Sequence, residues 1–108
     1  MPLEHFCASI PTVHVDTVLA DADEILVGLY DSFTIFNPAT SSVTSLTVYA
    51  APESGGTFLP LYSSAKVAVT IVTMVTGAAY QLSFAGYALK VIKFVSNADG
   101  DLPITMKS

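Results

Sequence analysis

LTVYAAPESGGTFLPLY (46–62) decides the fold. Leu46, Val48 and Ala50 fall on one face of an extended chain, and Thr47 and Tyr49 on the other. That period of two is the mark of a half-buried strand. Residues 52–57 (PESGGT) supply a turn, in which Gly55-Gly56 can adopt the positive φ that tight connections need. FLPLY (58–62) resumes an extended pattern. Pro60 has no N–H to give to a ladder, which places this strand at a sheet edge.

Similar patterns lie on either side. VAVTIVTMV (67–75) is rich in β-branched residues and reads as one strand, apolar on both faces near its end. AAYQLSF (78–84) alternates cleanly through Tyr80, Leu82 and Phe84. LKVIKFVSNADGDLPITMKS (89–108) reads as strand, Asn/Asp/Gly turn and final strand over 102–106. Upstream, TVHVDTVL (12–19) alternates through Val13 and Val15, EILVGLY (24–30) is an apolar strand, and FTIF (33–36) a short one. Gly28 inside 24–30 suggests a bulge or a close backbone approach. NPATSS (37–42) carries an Asn-Pro loop signal. Strands at spacings of about 8–12 residues, with no 3.6-residue period, predict an all-β fold. The expectation is an antiparallel, jelly-roll-like β-sandwich of about eight strands, spanning 12–108 as one domain. Pro2 and Pro11 bracket residues 1–11, which read as an apolar N-terminal arm.

Composition narrows the function. Of 108 residues, 52% are hydrophobic and only 12% charged, against roughly 45–50% and about 25% in typical domains. Ser and Thr, eleven of each, supply most of the polar surface. A surface of this kind is covered by another protein at little desolvation cost, which points to an oligomer or a larger assembly. There is no Arg, the net charge is −5, and Lys66, Lys90, Lys93 and Lys107 are scattered, which argues against nucleic-acid binding. Residues 1–54 carry seven acids and no Lys; residues 55–108 carry two acids and four Lys. Head-to-tail contact between copies would gain from that asymmetry, although the halves of a sandwich usually interleave. One cysteine, Cys7, excludes an internal disulfide, and with no signal-peptide pattern it suggests synthesis in a reducing cytoplasm. No apolar run reaches the ~18–20 residues of a membrane helix.

Candidate chemistry is sparse. His5, Cys7 and His14 lack the paired spacings of a zinc site. Asn97, Asp99 and Asp101 alternate like calcium ligands, but Gly100 falls at the fourth position and no Glu follows at the twelfth, so a hairpin turn held by local side-chain bonds is the simpler reading. No nucleophile elbow or activated cysteine is present. No enzyme, cofactor or metal is expected. The candidate interface residues are Leu3, Phe6 and Ile10 of the arm, with the aromatic Tyr49, Phe58 and Tyr62.

One layout is familiar. A Thr-Val-Tyr strand (47–49) leads through Gly-Gly-Thr (55–57) to Pro-Leu-Tyr (60–62). A Val/Thr-rich strand (67–75), Ala-Tyr-Gln-Leu (79–82), Leu-Lys-Val-Ile-Lys-Phe-Val-Ser-Asn (89–97) and a last strand reaching Lys107 follow. Residues 43–108 thereby resemble small β-sandwich virion proteins of tailed bacteriophages, of the head decoration (cement) type; residues 1–42 have no counterpart in that layout. The resemblance marks a sandwich module and carries over no catalytic residue. It implies a structural protein on the capsid surface of a virion, bridging subunits of the major capsid protein and self-associating as a homotrimer. A tail, fibre or head–tail connector component, and a glycan-binding surface module, are the alternatives.

Overall fold

The computed structural model describes residues 7–28, 32–62, 66–71, 74–83 and 89–107. Nine strands follow in order: β1 (Cys7–Val15), β2 (Ile25–Leu26), β3 (Ser32–Asn37), β4 (Leu46–Ala51), β5 (Leu59–Pro60), β6 (Thr70–Ile71), β7 (Ala78–Ser83), β8 (Val91–Ser96) and β9 (Gly100–Lys107). A 3₁₀ turn, Leu19–Asp21, precedes β2.

The pairing is nested. β1 pairs with β9, β2 with β8, β3 with β7, and β4 with both β5 and β6, every pair antiparallel. The chain is thus one long hairpin of strands. Rolling it joins β9 to β3 and β8 to β4, giving sheets ordered β1-β9-β3-β7 and β2-β8-β4-β5, with β6 beside β5 on the outer edge of β4. That order is a jelly-roll β-sandwich, and the expected fold class stands, with the short β6 added.

Alternation builds the core. Val13, Val15, Phe33, Ile35, Leu102, Ile104 and Met106 from the first sheet meet Ile25, Leu46, Val48, Ile92 and Phe94 from the second, all buried. Each such side chain stabilises the fold by about 1.5–3 kcal/mol relative to its exposed state. β8 is buried on its outer face as well. There Lys93 donates to the Leu19 carbonyl (3.1 Å) and lies 4.9 Å from the centre of the Phe58 ring. The 3₁₀ turn and the β4–β5 connection form a partial third layer over that face.

Several expectations change. β1 starts at Cys7, so Cys7–Pro11 belongs to the sandwich rather than to an arm; residues 1–6 lie outside the described residues. Pro11 is tolerated because β1 is an edge strand and its register slips between Ile10 and Val13. Pro103 lies opposite that slip and beyond the last β3–β9 pair, Ile35 with Ile104, so its missing N–H breaks no ladder. The 67–75 run yields only the two residues of β6. The outer edge of β4 is divided: Leu46 and Thr47 pair with Ile71 and Thr70, and Tyr49 and Ala50 with Pro60 and Leu59. Val48 is the handover, donating to the Val69 carbonyl (3.0 Å) and accepting from the Leu61 N–H (2.9 Å). β2 ends at Leu26, and a side chain at Gly28 would meet nothing within 4 Å, so no bulge or close approach explains that glycine. Gly55 does hold positive φ (75°) in the turn expected at 55–56, and Gly77 holds it (77°) in the turn before β7.

Candidate functional site

The residues that stand out are apolar and exposed. Leu59 on β5 is 63% exposed, as is Val67, and Tyr62 is 56% exposed. Tyr62 bridges to Ala68, and the Val69 N–H donates to the Leu61 carbonyl (2.9 Å), so the β5–β6 connection doubles back as a hairpin at the sheet edge. Lys66 sits in its turn with φ 62°. Behind Leu59 lies an open apolar groove of about 400 Å³, walled by Ala50, Ala51, Pro52 and Leu89 with Lys90 at its rim. The opposite edge of the same sheet, β2, presents Leu26 (63% exposed), with Val18 (51%) in the preceding loop.

Of the interface residues expected from sequence, Tyr62 lies on this rim. Tyr49 is half-buried on the outer face of β4, paired with Lys93, and Phe58 is half-buried beside the Lys93 ammonium. Ile10 pairs with Ile104 in β1, where its side chain lies outside the described residues, as do Leu3 and Phe6 altogether. Sequence reading missed Leu26, Leu59 and Val67. The usable signal was Pro60: a strand held to the edge by proline exposes the neighbours of that proline.

A second constellation occupies the β1–β9 corner. His14 Nδ1 lies 3.0 Å from Asp101 Oδ1, and Nε2 lies 3.0 Å from Asp16 Oδ2. The His14 N–H donates to Asp23 Oδ2 (2.9 Å), and the Asp23 N–H returns a bond to the His14 carbonyl (3.0 Å). A neutral imidazole has one N–H and could satisfy only one carboxylate; the cation satisfies both. Hydrogen bonds to Asp101 and then Asp16 accordingly raise the His14 pKa above 6.5. Asp16 is held below 3.8, chiefly by the Val18 N–H and next by His14. Asp16 also bridges to Val95 on β8, so the corner ties the two sheets together. Both ring nitrogens face carboxylate oxygens, which leaves no free lone pair for a general base or a metal. Among the described residues no group of three His, Cys, Asp or Glu side chains is placed to hold a metal ion.

A pH dependence follows. The raised His14 pKa contributes stability that is fully present below 6.5 and is lost as pH rises through the folded value. The lowered Asp16 pKa contributes stability present above 3.8 and lost as pH falls through its folded value. Melting temperature is expected to decline from about pH 6 to about pH 9, and His14→Gln to remove that decline. Thermal melts of both proteins across that range check it; parallel curves would show that the corner contributes nothing.

The strand order defines this chain as a jelly-roll β-sandwich carrying an apolar rim. No family model matches the sequence, and no curated protein matches it. Its fold is similar to the crystal structure of the SPBc2 prophage-derived protein YomS, with 20% identity over 96% of this chain and 95% of that chain and a TM-score of 0.58. At that identity the likeness establishes the fold.

Proposed function

We propose that this chain is a structural protein of a phage particle: a capsid decoration protein without enzymatic activity, self-associated as a homotrimer and bridging subunits of the major capsid protein. The observation that carries the reading is the set of exposed apolar side chains, among the described residues, at the two outer edges of the β2-β8-β4-β5 sheet. Apolar surface of this kind on a weakly charged domain gains free energy only when another protein covers it. The sandwich order belongs to an architecture used in viral capsids. The prophage source of the similar structure supports the same setting.

The mechanism is burial. A contact of roughly 800 Å² per partner lowers the free energy of the closed shell relative to a ruptured one, because only the assembled shell presents both halves of the bridge. Quantitative mass spectrometry of purified particles from a host carrying the gene tests the reading. The expected result is this chain in amounts comparable to the major capsid protein, on the order of hundreds of copies per particle, as a lattice of repeated contacts demands. A few copies per particle would indicate a tail or connector component instead, and absence from particles would end the proposal.

A further inference from the structure

Of the seven large apolar side chains exposed among the described residues, five lie on the two opposite edges of one sheet: Val18 and Leu26 at the β2 edge, and Leu59, Tyr62 and Val67 at the β5–β6 edge. The charges on these edges are of opposite sign. In the loop before β2, Asp21 and Asp23 are exposed acids, whereas Asp16 is paired with His14 and Glu24 is turned to Ser54 and Gly55 of the β4–β5 connection; residues 57–71 contain Lys66 and no acid, and Lys90 lines the groove beside Leu59.

From these placements we infer that copies of this chain join head to tail, the β2 edge of one copy covering the β5–β6 edge of the next. The inference deepens the self-association in the proposed function and rests on that part of it. Strand direction permits the contact. β2 is antiparallel to β8, β8 to β4, and β4 to both β5 and β6, so β2 and the β5–β6 pair run in opposite senses. A second copy brought up by rotation about an axis along the strands therefore presents an antiparallel neighbour. A two-fold contact of β2 with β2 is disfavoured, because it would set Asp21 and Asp23 of one copy against the same acids of the other. A head-to-tail contact uses two different surfaces on each copy, and it closes into a ring when the rotation permits. The spacing between the two surfaces is fixed by one cross-strand row, Ile25–Ile92–Ala50–Leu59, with one residue on each strand.

Leu26→Glu and Tyr62→Glu test the contact, since both side chains are exposed and each substitution spoils only one edge. Sedimentation at about 50 μM is expected to show the wild type larger than a monomer, with each single variant weakened at least about tenfold and monomeric. An equimolar mixture of the two variants retains one intact edge of each kind, and is expected to give a one-to-one dimer and nothing larger. A monomeric wild type, or a mixture that stays monomeric, overturns the inference. A chain that is monomeric in solution but abundant in particles removes this contact and leaves the decoration reading standing. A ring-forming chain absent from particles does the reverse.

Discussion

Asn37→Asp is expected to destabilise the domain by about 3–5 kcal/mol at neutral pH, more than Asn37→Ala does. Asn37 closes β3 and is 1% exposed. Its Nδ2 donates to the Val43 carbonyl at 2.9 Å and to the Val75 carbonyl at 3.1 Å, while its main-chain carbonyl accepts from the Gly77 N–H at 2.7 Å. One side chain thus holds the ends of two connections against the core. Alanine removes both donors: the Val43 carbonyl, in the buried bond, is left unmet at about 1–3 kcal/mol, while Val75 is exposed and water can meet its carbonyl. Aspartate does worse, because an anion then faces the same two carbonyls, and Oδ1 already has no partner among the described residues. The sign of the pH dependence follows. Burial beside acceptors raises the folded pKa of the new carboxyl, so its penalty vanishes below the unfolded value near 3.9 and grows as pH climbs towards the folded one. Urea unfolding midpoints at about pH 7.5 and about pH 4.5 decide it. An aspartate variant as stable as the alanine variant at the higher pH would mean that water reaches the site.

The sequence read Asn37-Pro38 as a loop signal, and the loop does begin there; the long-range clamp made by the same asparagine carries no local signature. Asn97 repeats the lesson. Its place in the β8–β9 turn was legible, but its Oδ1 accepts from the Thr44 N–H (2.7 Å) and the Ser45 N–H (3.1 Å), more than fifty residues away, rather than from its own turn. Asp101, taken as part of the same turn, instead holds His14 across β1 and β9. Four strands were legible to within a residue or two: β3, β4, β7 and β8. The failures fall where tertiary context overrides pattern. The 67–75 run is apolar on both parities, so period cannot set its length, and competition between β5 and β6 for one edge of β4 shortens both. Pro11 looked like a boundary because the bulge that accommodates it exists only once β9 is alongside. Of the apolar rim, Tyr62 was legible as an aromatic beside an edge proline. Leu59, next to Pro60, carried the same edge signal; Leu26 and Val67 look in sequence like any buried aliphatic, and nothing local marks them as exposed.

Phe94→Ala carries the other large effect. Phe94 is fully buried in the centre of β8, paired with Val48 of β4, and is among the largest side chains of the core. Truncation removes its transfer free energy and leaves a cavity, together costing about 3–5 kcal/mol. Against a total stability of about 5–15 kcal/mol, that is a substantial share. At about 4–8 °C per kcal/mol the expected fall in melting temperature is roughly 12–40 °C. Val95→Ala, one residue on and on the outer face, is expected to cost no more than about 1 kcal/mol, and calorimetry of the pair separates burial from strand propensity. The two effects matter differently for assembly. The β8–β4 ladder holds the β2 edge and the β5–β6 edge at a fixed spacing, and a cavity at its centre loosens both edges at once. Self-association of the Phe94 variant should therefore weaken even below its melting temperature, whereas the Val95 variant should assemble as the wild type does. An equal loss of assembly in both would place the contact on the outer face of this sheet rather than on its edges.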